Sequence, residues 1–416
     1  MKYQKPRGTR DVLPKDIQKW NFVEKTIREV MGFYNYSEIR TPTFEQTELF
    51  TRGVGNETDI VGKEMYTFAD KGGKSLTLKP EMTAPVVRAY LENGMSNESP
   101  VQKLYYISNM FRYEKPQEGR FREHTQFGAE IIGSNDVNTD IEIILVAREV
   151  YNRAGIDDVK VKINSIGKSD ERKKYLKVLK EYLRKYIDDL SDDSKKRLEK
   201  NTLRILDSKD KKDVNIVESA PKILDHLTSE SRKRFDKVVN GLTGLNINYE
   251  VDFRLVRGID YYTDTTFEFI SYQLGAQDAI GGGGRYDGLV ELLGGKPTPG
   301  VGFGSGVERI IMVAEKNKFA FPSRDNIKIY IITLNETAKE YAVKLANNLR
   351  NKNIGCDYDF IGRSLKSQMR EANRLKSEYV FIIGDEELKK GKGILKKMSD
   401  GSQNEIDFNK IFENLA

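Results

Sequence analysis

After Pro14, apolar residues at Trp20, Val23, Ile27, Val30 and Met31 recur every three or four positions, which places them on one face of a helix. Gly32 and the region of Asn35 end that helix. Residues 36–42 then read as a strand stopped by Pro42, because proline has no N–H to give a ladder. Further on, the pattern predicts a strand at 76–78, a helix from about 84 to 92 and a strand at 101–107. A hairpin-like unit with a charged loop follows over 108–133, then a helix over 136–154 and an alternating strand at 159–164. Residues 168–245 change character. They are dense in Lys, Arg, Asp and Glu, while Leu176, Leu179, Leu183 and Ile187 keep a helical stripe, so the segment reads as a helical insertion. Its charge fits either a solvated helix face or a nucleic-acid contact. Strands resume at Val251 and run to about residue 305, and 308–316 is helical. Residues 321–325 form a linker. Beyond it come an apolar strand at 327–334 and a helix marked by Ala338, Ala342, Leu345, Ala346 and Leu349. Another strand, a helix capped near Ser364 and a strand at 379–383 complete a β-α-β-α-β order. That order predicts a small α/β domain with a mainly parallel sheet. The domain plan is therefore a core in two parts, 1–167 and 246–322, an insertion at 168–245, and a separate domain at 326–416.

Composition narrows the classes. A 416-residue chain that is 38% hydrophobic is globular and buries ample core. Lys and Arg number 69 against 63 Asp and Glu, a formal charge of +6 that permits a polyanion partner without requiring one. Cys356 is the only cysteine, so intrachain disulfides are excluded and a reducing, cytoplasmic setting is expected. Its place at a strand start favours inert burial. With only His124 and His226 beside one cysteine, a zinc site of the usual N/S type is not expected. No apolar run nears the roughly 20 residues of a membrane span, and the start lacks an apolar signal core.

The chemistry gathers in a few stretches. Arg257-Gly258-Ile259-Asp260-Tyr261-Tyr262 sets an arginine beside two tyrosines, and a strand and the glycine run at 281–284 follow. Arginine suits a phosphate or carboxylate because its planar fork donates in pairs and keeps its charge. The loop at 111–124 carries Arg112, Arg120 and Arg122, spaced so that two antiparallel strands could aim them at one polyphosphate; the bland reading is an exposed charged hairpin. In that loop Glu114 could hold an amine or orient an arginine, and His124 offers a flat ring for a base. Gln126 and Glu130, four apart on a strand, share a face. Glu81 and Thr83 stand at a strand-to-helix turn, either as an ordinary cap or as an ammonium site. Residues 300–306 alternate glycine, which leaves one strand face bare for a flat ligand, and Arg309 follows on the next helix. Gly73-Lys74-Ser75 and Gly167-Lys168-Ser169 mimic a phosphate loop, but Phe68 and Lys162 stand where its first glycine belongs.

Taken in order, these pieces resemble the three motifs of class II aminoacyl-tRNA synthetases: 36–50 the first, 108–133 the second and 300–313 the third. Residues 255–262 and 279–293 resemble the two signature peptides of the histidyl-tRNA synthetase family, and Lys5-Pro6-Arg7-Gly8-Thr9-Arg10-Asp11 resembles its opening. The resemblance covers nearly the whole chain. It implies an α+β fold: a six-stranded antiparallel sheet flanked by helices, dimerised through the first motif, with a helical insertion and a C-terminal α/β anticodon-binding domain. It implies ATP-dependent activation of L-histidine to the adenylate, followed by transfer to tRNA(His). By the same resemblance, Arg112 and Arg257 are catalytic at the ATP α-phosphate and border the histidine. Arg120 and Arg309 hold the γ-phosphate end, Glu114 and His124 complete the ATP site, and Mg²⁺ accompanies the phosphates without a metal site of the protein's own. Glu81, Thr83 and Gln126 hold the amino-acid head group, while Glu130 and Tyr262 hold the imidazole with Tyr261 nearby. Two departures stand out. His124 replaces a frequent phenylalanine, so its protonation is expected to add a pH dependence, and Met82 replaces a usual glycine. Two rival readings are a non-catalytic regulatory paralogue and a class II enzyme for another amino acid. The first typically lacks the C-terminal domain and the Arg257-type motif, and the signature peptides argue against the second.

Overall fold

The computed structural model describes residues 3–55, 58–115, 119–275, 278–323 and 326–415. Residues 116–118 of the charged loop, and Arg324 and Asp325 of the linker, lie outside them. Helix α1 (Ile17–Phe33) buries Trp20, Val23, Ile27, Val30 and Met31, the stripe read from the sequence. The strand expected at 36–42 shrinks to β1 (Ser37–Glu38). It is an edge strand that pairs only with a later one, its last ladder bond is Ile39 N–H to the Tyr105 carbonyl at 2.8 Å, and Pro42 has no N–H to extend it. Strands β2 (Phe44–Gln46), β3 (Tyr66–Ala69) and β4 (Ser75–Leu78) make a small sheet in the order β2-β4-β3, with helix α2 (Thr47–Gly53) after β2. Helix α3 (Thr83–Glu92) follows. The long hairpin β5 (Gln102–Phe111) and β6 (Glu123–Ile132) leads to α4 (Val137–Arg153), whose Asp136 side chain accepts from the Asn138 N–H as an N-cap.

Strand β7 (Lys160–Ser165) precedes the insertion, which is helical as expected: α5 (Ser169–Arg184), α6 (Asp192–Lys200), α7 (Lys211–Glu218) and α8 (Ser229–Gly244). Its stripe differs from the expected one. Tyr175, Leu179 and Leu183 are the buried hydrophobic residues of α5, while Ile187 lies past the helix end and is 43% exposed. Strands β8 (Tyr249–Val251), β9 (Thr263–Ile270) and β10 (Ala279–Arg285), helix α9 (Leu289–Leu292), strand β11 (Gly300–Gly306) and helix α10 (Val307–Lys316) complete the first unit.

The central sheet runs β1-β5-β6-β11-β10-β9-β7-β8, eight strands rather than the six the resemblance implies. The inner six are antiparallel throughout, and short parallel strands add one edge each, β1 on β5 and β8 on β7. On β6, Phe127, Ala129 and Ile131 pack into a core shared with α1, α4 and α10. Phe127 and Ile131 each contribute about 1.5–3 kcal/mol by that burial. The two-residue period then assigns Gln126 and Glu130 to the opposite face, where the site forms.

The chain divides into two compact units, Met1–Pro322 and Ser323–Ala416. In the second, β12 (Ile329–Thr333), α11 (Glu336–Asn351), β13 (Cys356–Tyr358), α12 (Leu365–Arg374) and β14 (Tyr379–Ile383) follow the expected order. Helix α13 (Asp385–Lys390) and strands β15 (Lys392–Lys397) and β16 (Gln403–Asp407) were not expected. The sheet order is β13-β12-β14-β15-β16, with two parallel pairs and two antiparallel ones, so the sheet is mixed rather than mainly parallel. Cys356 is buried, and desolvation raises its thiol pKa, as expected for an inert cysteine. Among the described residues no helix is long and apolar enough to cross a membrane.

Candidate active site

Two buried carboxylates floor the site. Glu130 on β6 accepts the Thr83 hydroxyl at 2.8 Å on one oxygen and the Tyr286 hydroxyl at 2.7 Å on the other. Burial pushes its carboxyl up to about 8. Across the ladder Gly302 pairs with Glu130, and a Cβ there would stand 1.7 Å from the carboxylate. A Cβ at Gly304 would stand 2.4 Å from the Gln126 amide nitrogen. The alternate glycines therefore clear space first for the protein's own side chains, which corrects the expectation of a face left bare for a ligand. Glu81 accepts the backbone N–H groups of Thr83 at 2.8 Å and Ala84 at 2.9 Å, so it does cap α3. It also accepts the Tyr261 hydroxyl at 3.2 Å, and burial raises its pKa. Tyr261 sits between the other two aromatics of the pocket, with ring centroids 4.8 Å from Tyr262 and 5.8 Å from Tyr286. Gln126 shares the Glu130 face and donates its amide to the Tyr106 hydroxyl at 3.0 Å. Thr83 bridges the two acids, its N–H on Glu81 and its hydroxyl on Glu130.

Beside this floor opens a cavity of about 220 Å³ walled by Arg112, Arg120, Arg257 and Arg309, with His124 and Gln126. Arg112 is steadied by its Nε donating to the Pro80 carbonyl at 2.7 Å. Glu114 accepts from Arg120 at 3.2 Å and lies 3.8 Å from Arg112, so in this geometry it orients arginines. Arg257 pairs with Glu268 on β9, while its buried Nε has no partner among the described residues. Arg309, in the first turn of α10, donates to the Gly119 and Ala279 carbonyls. Arg122 departs from the expected clamp. Its guanidinium stacks 3.6 Å over the Tyr113 ring, outside the cavity, held there by the cation–π contact and by the backbone of Gly8 against its stem. His124 is held near a pKa of about 3 by burial first and then by the charges of Arg112, Arg309 and Arg120. The ring is therefore neutral at physiological pH, and the pH dependence expected of it is withdrawn.

The pocket thus joins a buried floor of carboxylates and hydroxyls to a cationic wall. The floor suits a small polar ring with N–H donors, and the wall suits a polyphosphate. Sequence reading assigned no role to Tyr286, Tyr106 or Glu268. Tyr286 had a signal, since it directly follows the 281–285 strand of glycines and arginine, but its target on β6 is 156 residues away.

Comparison with known proteins agrees. The family model described as histidyl-tRNA synthetase matches residues 8–310, and that of an anticodon binding domain matches 328–416. A histidine–tRNA ligase of Halothermothrix orenii is 49% identical over 100% of this chain and 99% of its own, and one of a Geobacillus strain is 47% identical over 100% of this chain. The apo crystal structure of the S. aureus histidyl-tRNA synthetase, at 37% identity, superposes with a TM-score of 0.83 over 99% of both chains. With a family model spanning most of its length and relatives this similar end to end, the chain belongs to the histidyl-tRNA synthetase family of class II aminoacyl-tRNA synthetases.

Proposed function

We propose that the two halves of this site perform the two recognition tasks of a histidine–tRNA ligase: the floor selects L-histidine and the wall binds ATP. The family membership gives the overall reaction, in which histidine is activated with ATP and joined to tRNA(His). The observation that carries the residue assignment is Glu130, buried, fixed by two hydroxyls and on the strand face of Gln126, which itself lines the cavity of four arginines. Glu130 accepts an imidazole N–H with Tyr262 alongside, and Glu81, Thr83 and Gln126 meet the amino-acid head group. An isosteric apolar side chain would leave Glu130 unmet at a cost of about 1–3 kcal/mol. Arg112 and Arg257 take the α-phosphate. Arg120 and Arg309 take the γ end with Glu114 orienting them, and the neutral His124 ring stacks on the base. ATP enters as its Mg²⁺ complex, the ion travelling on the outer phosphates as part of the substrate.

The histidine carboxylate attacks the α-phosphorus in line, and the bond to the bridging oxygen breaks to release pyrophosphate. Arg112 and Arg257 meet the charge that builds on the nonbridging oxygens. The ribose hydroxyl at the tRNA end then attacks the adenylate carbonyl, and AMP leaves. Residues 326–416 engage the anticodon arm, supported by the match of 328–416 to an anticodon-binding family. Residues 36–50 form a homodimer contact, supported by the neighbouring exposed rings of Phe44 and Phe68, 6.2 Å apart. The lone buried cysteine supports a cytoplasmic setting. The test is charging of purified tRNA(His) with labelled histidine and ATP. Accumulation of histidyl-tRNA with stoichiometric AMP is expected; no charging by well-folded protein would overturn the reading.

A further inference from the structure

The loop that carries Arg257, Tyr261 and Tyr262 does not rest on the central sheet alone. Its outgoing turn, residues 262–264, is gripped through three hydrogen bonds by the first turn of the insertion and by the two core residues that lead into it. Arg172 Nη1, in the first turn of α5, donates to the Tyr262 carbonyl at 2.7 Å. The Asp264 N–H donates to the Gly167 carbonyl at 3.1 Å, and the Ile166 N–H donates to the Asp264 carbonyl at 2.8 Å. The grip holds a conformation the chain would not choose by itself, since Asp264 sits at φ 47°, a region costly for a residue with a Cβ. Tyr175 and Leu179 of α5 share one buried cluster with Val256, Tyr261 and Tyr262. Behind the loop a cavity of about 350 Å³ is lined by Arg172 and Leu176 of the insertion together with Val256, Arg257 and Asp260. Of the three bonds, only the one from Arg172 is made by a side chain.

We propose that Arg172 is a positioning residue for the histidine pocket, fixing the Tyr262 backbone and so tying the charged insertion to the amino-acid site. Arg172 reaches neither the floor nor the arginine cavity. It acts through the carbonyl that sets where the Tyr261 and Tyr262 rings stand. A displacement of α5 is therefore felt at the hydroxyl on Glu81, and occupancy of the pocket is felt in the insertion. The proposal rests on the reading of Tyr261 and Tyr262 as histidine-binding residues.

The test is ATP–pyrophosphate exchange with the full chain carrying Arg172→Met, Arg172→Lys or Tyr262→Phe, together with thermal unfolding of each. Arg172→Met keeps the stem and loses the donor. It is expected to raise the KM for histidine about tenfold, the scale of one charge-assisted hydrogen bond, with the KM for ATP within about twofold. Arg172→Lys keeps a donor and is expected to recover most of that loss. A KM for histidine unmoved in Arg172→Met, while Tyr262→Phe raises it, overturns the proposal and leaves the pocket intact. Both KM values rising together, without rescue by lysine, overturns it as a mere loss of structure. If neither Arg172→Met nor Tyr262→Phe moves the KM for histidine, the pocket reading fails and the proposal falls with it. Should Arg172→Met not fold, Arg172→Gln against Arg172→Lys makes the same comparison of donor reach.

Discussion

The floor and the wall of the site are built on opposite principles. On the floor, Glu81 and Glu130 are buried, and each carboxylate oxygen already accepts a hydrogen bond from the chain. On the wall, four arginines line an open cavity, each held by the chain beside it, as Arg112 is by its Nε on the Pro80 carbonyl. On the proposed assignment, the difference separates the part that discriminates from the part that accelerates. A buried, fully bonded floor penalises a side chain that lacks the right donors. A cationic wall is rewarded most when phosphate charge grows, which happens at the transition state.

Substitutions separate the two. Arg257→Ala is expected to slow histidyl-adenylate formation by about 10²-fold or more, the usual loss for one transition-state contact; near-normal exchange in that variant would remove Arg257 from the chemistry. Glu130→Gln keeps the shape of the floor and replaces a carboxyl oxygen with an amide N–H₂, which cannot accept a hydrogen bond. It is expected to cut kcat/KM for histidine by about ten- to a hundredfold, from a cost of about 1.5–3 kcal/mol, while the KM for ATP holds. An unchanged KM for histidine would erase the distinction between floor and wall.

A subtler mark of the buried floor lies in stability. Glu130 titrates near about 8 when folded, against about 4.3 unfolded. Between those values the folded chain holds one proton more than the unfolded one, so stability falls as pH rises. The contribution is complete below about pH 4.3 and is lost through about pH 8. Thermal unfolding from pH 5 to 8.5 should therefore show wild type losing ground to Glu130→Gln as pH rises; parallel curves would mean that the carboxyl is solvated. The smallest effect belongs to the wall. Because His124 is already neutral above about pH 4, His124→Phe should leave the pH profile of the KM for ATP between pH 6 and 8 unchanged, checked by exchange kinetics. A new slope in that range would show that the ring titrates there.

The sequence made long regular elements visible and left pairings hidden. The α1 stripe, the helical character of the insertion and the β-α-β-α-β run after the linker were all legible, because each follows from local periodicity. The β15–β16 hairpin was not, since Lys392–Lys397 and Gln403–Asp407 are charge-rich, with little apolar alternation to betray them. Of the short edge strands, β1 was read too long, over 36–42, and β8 was met only at its last residue, Val251. In the site, the acids and arginines were recognisable as a set through the family resemblance, but not their directions. Nothing local says that Arg122 turns onto Tyr113, or that Gly302 exists to make room for Glu130. The second depends on the register of β11 against β6, which pairs Gly302 with Glu130 and is fixed only once the sheet has formed.

One measurement tests the central claim, that a floor built around Glu130 makes this chain activate histidine. It is ATP–pyrophosphate exchange by the purified protein against each of the twenty amino acids, run in parallel with Glu130→Gln. The account predicts exchange with histidine alone and its marked loss in the variant. Equal exchange with another amino acid, or full histidine-dependent exchange by Glu130→Gln, would contradict it.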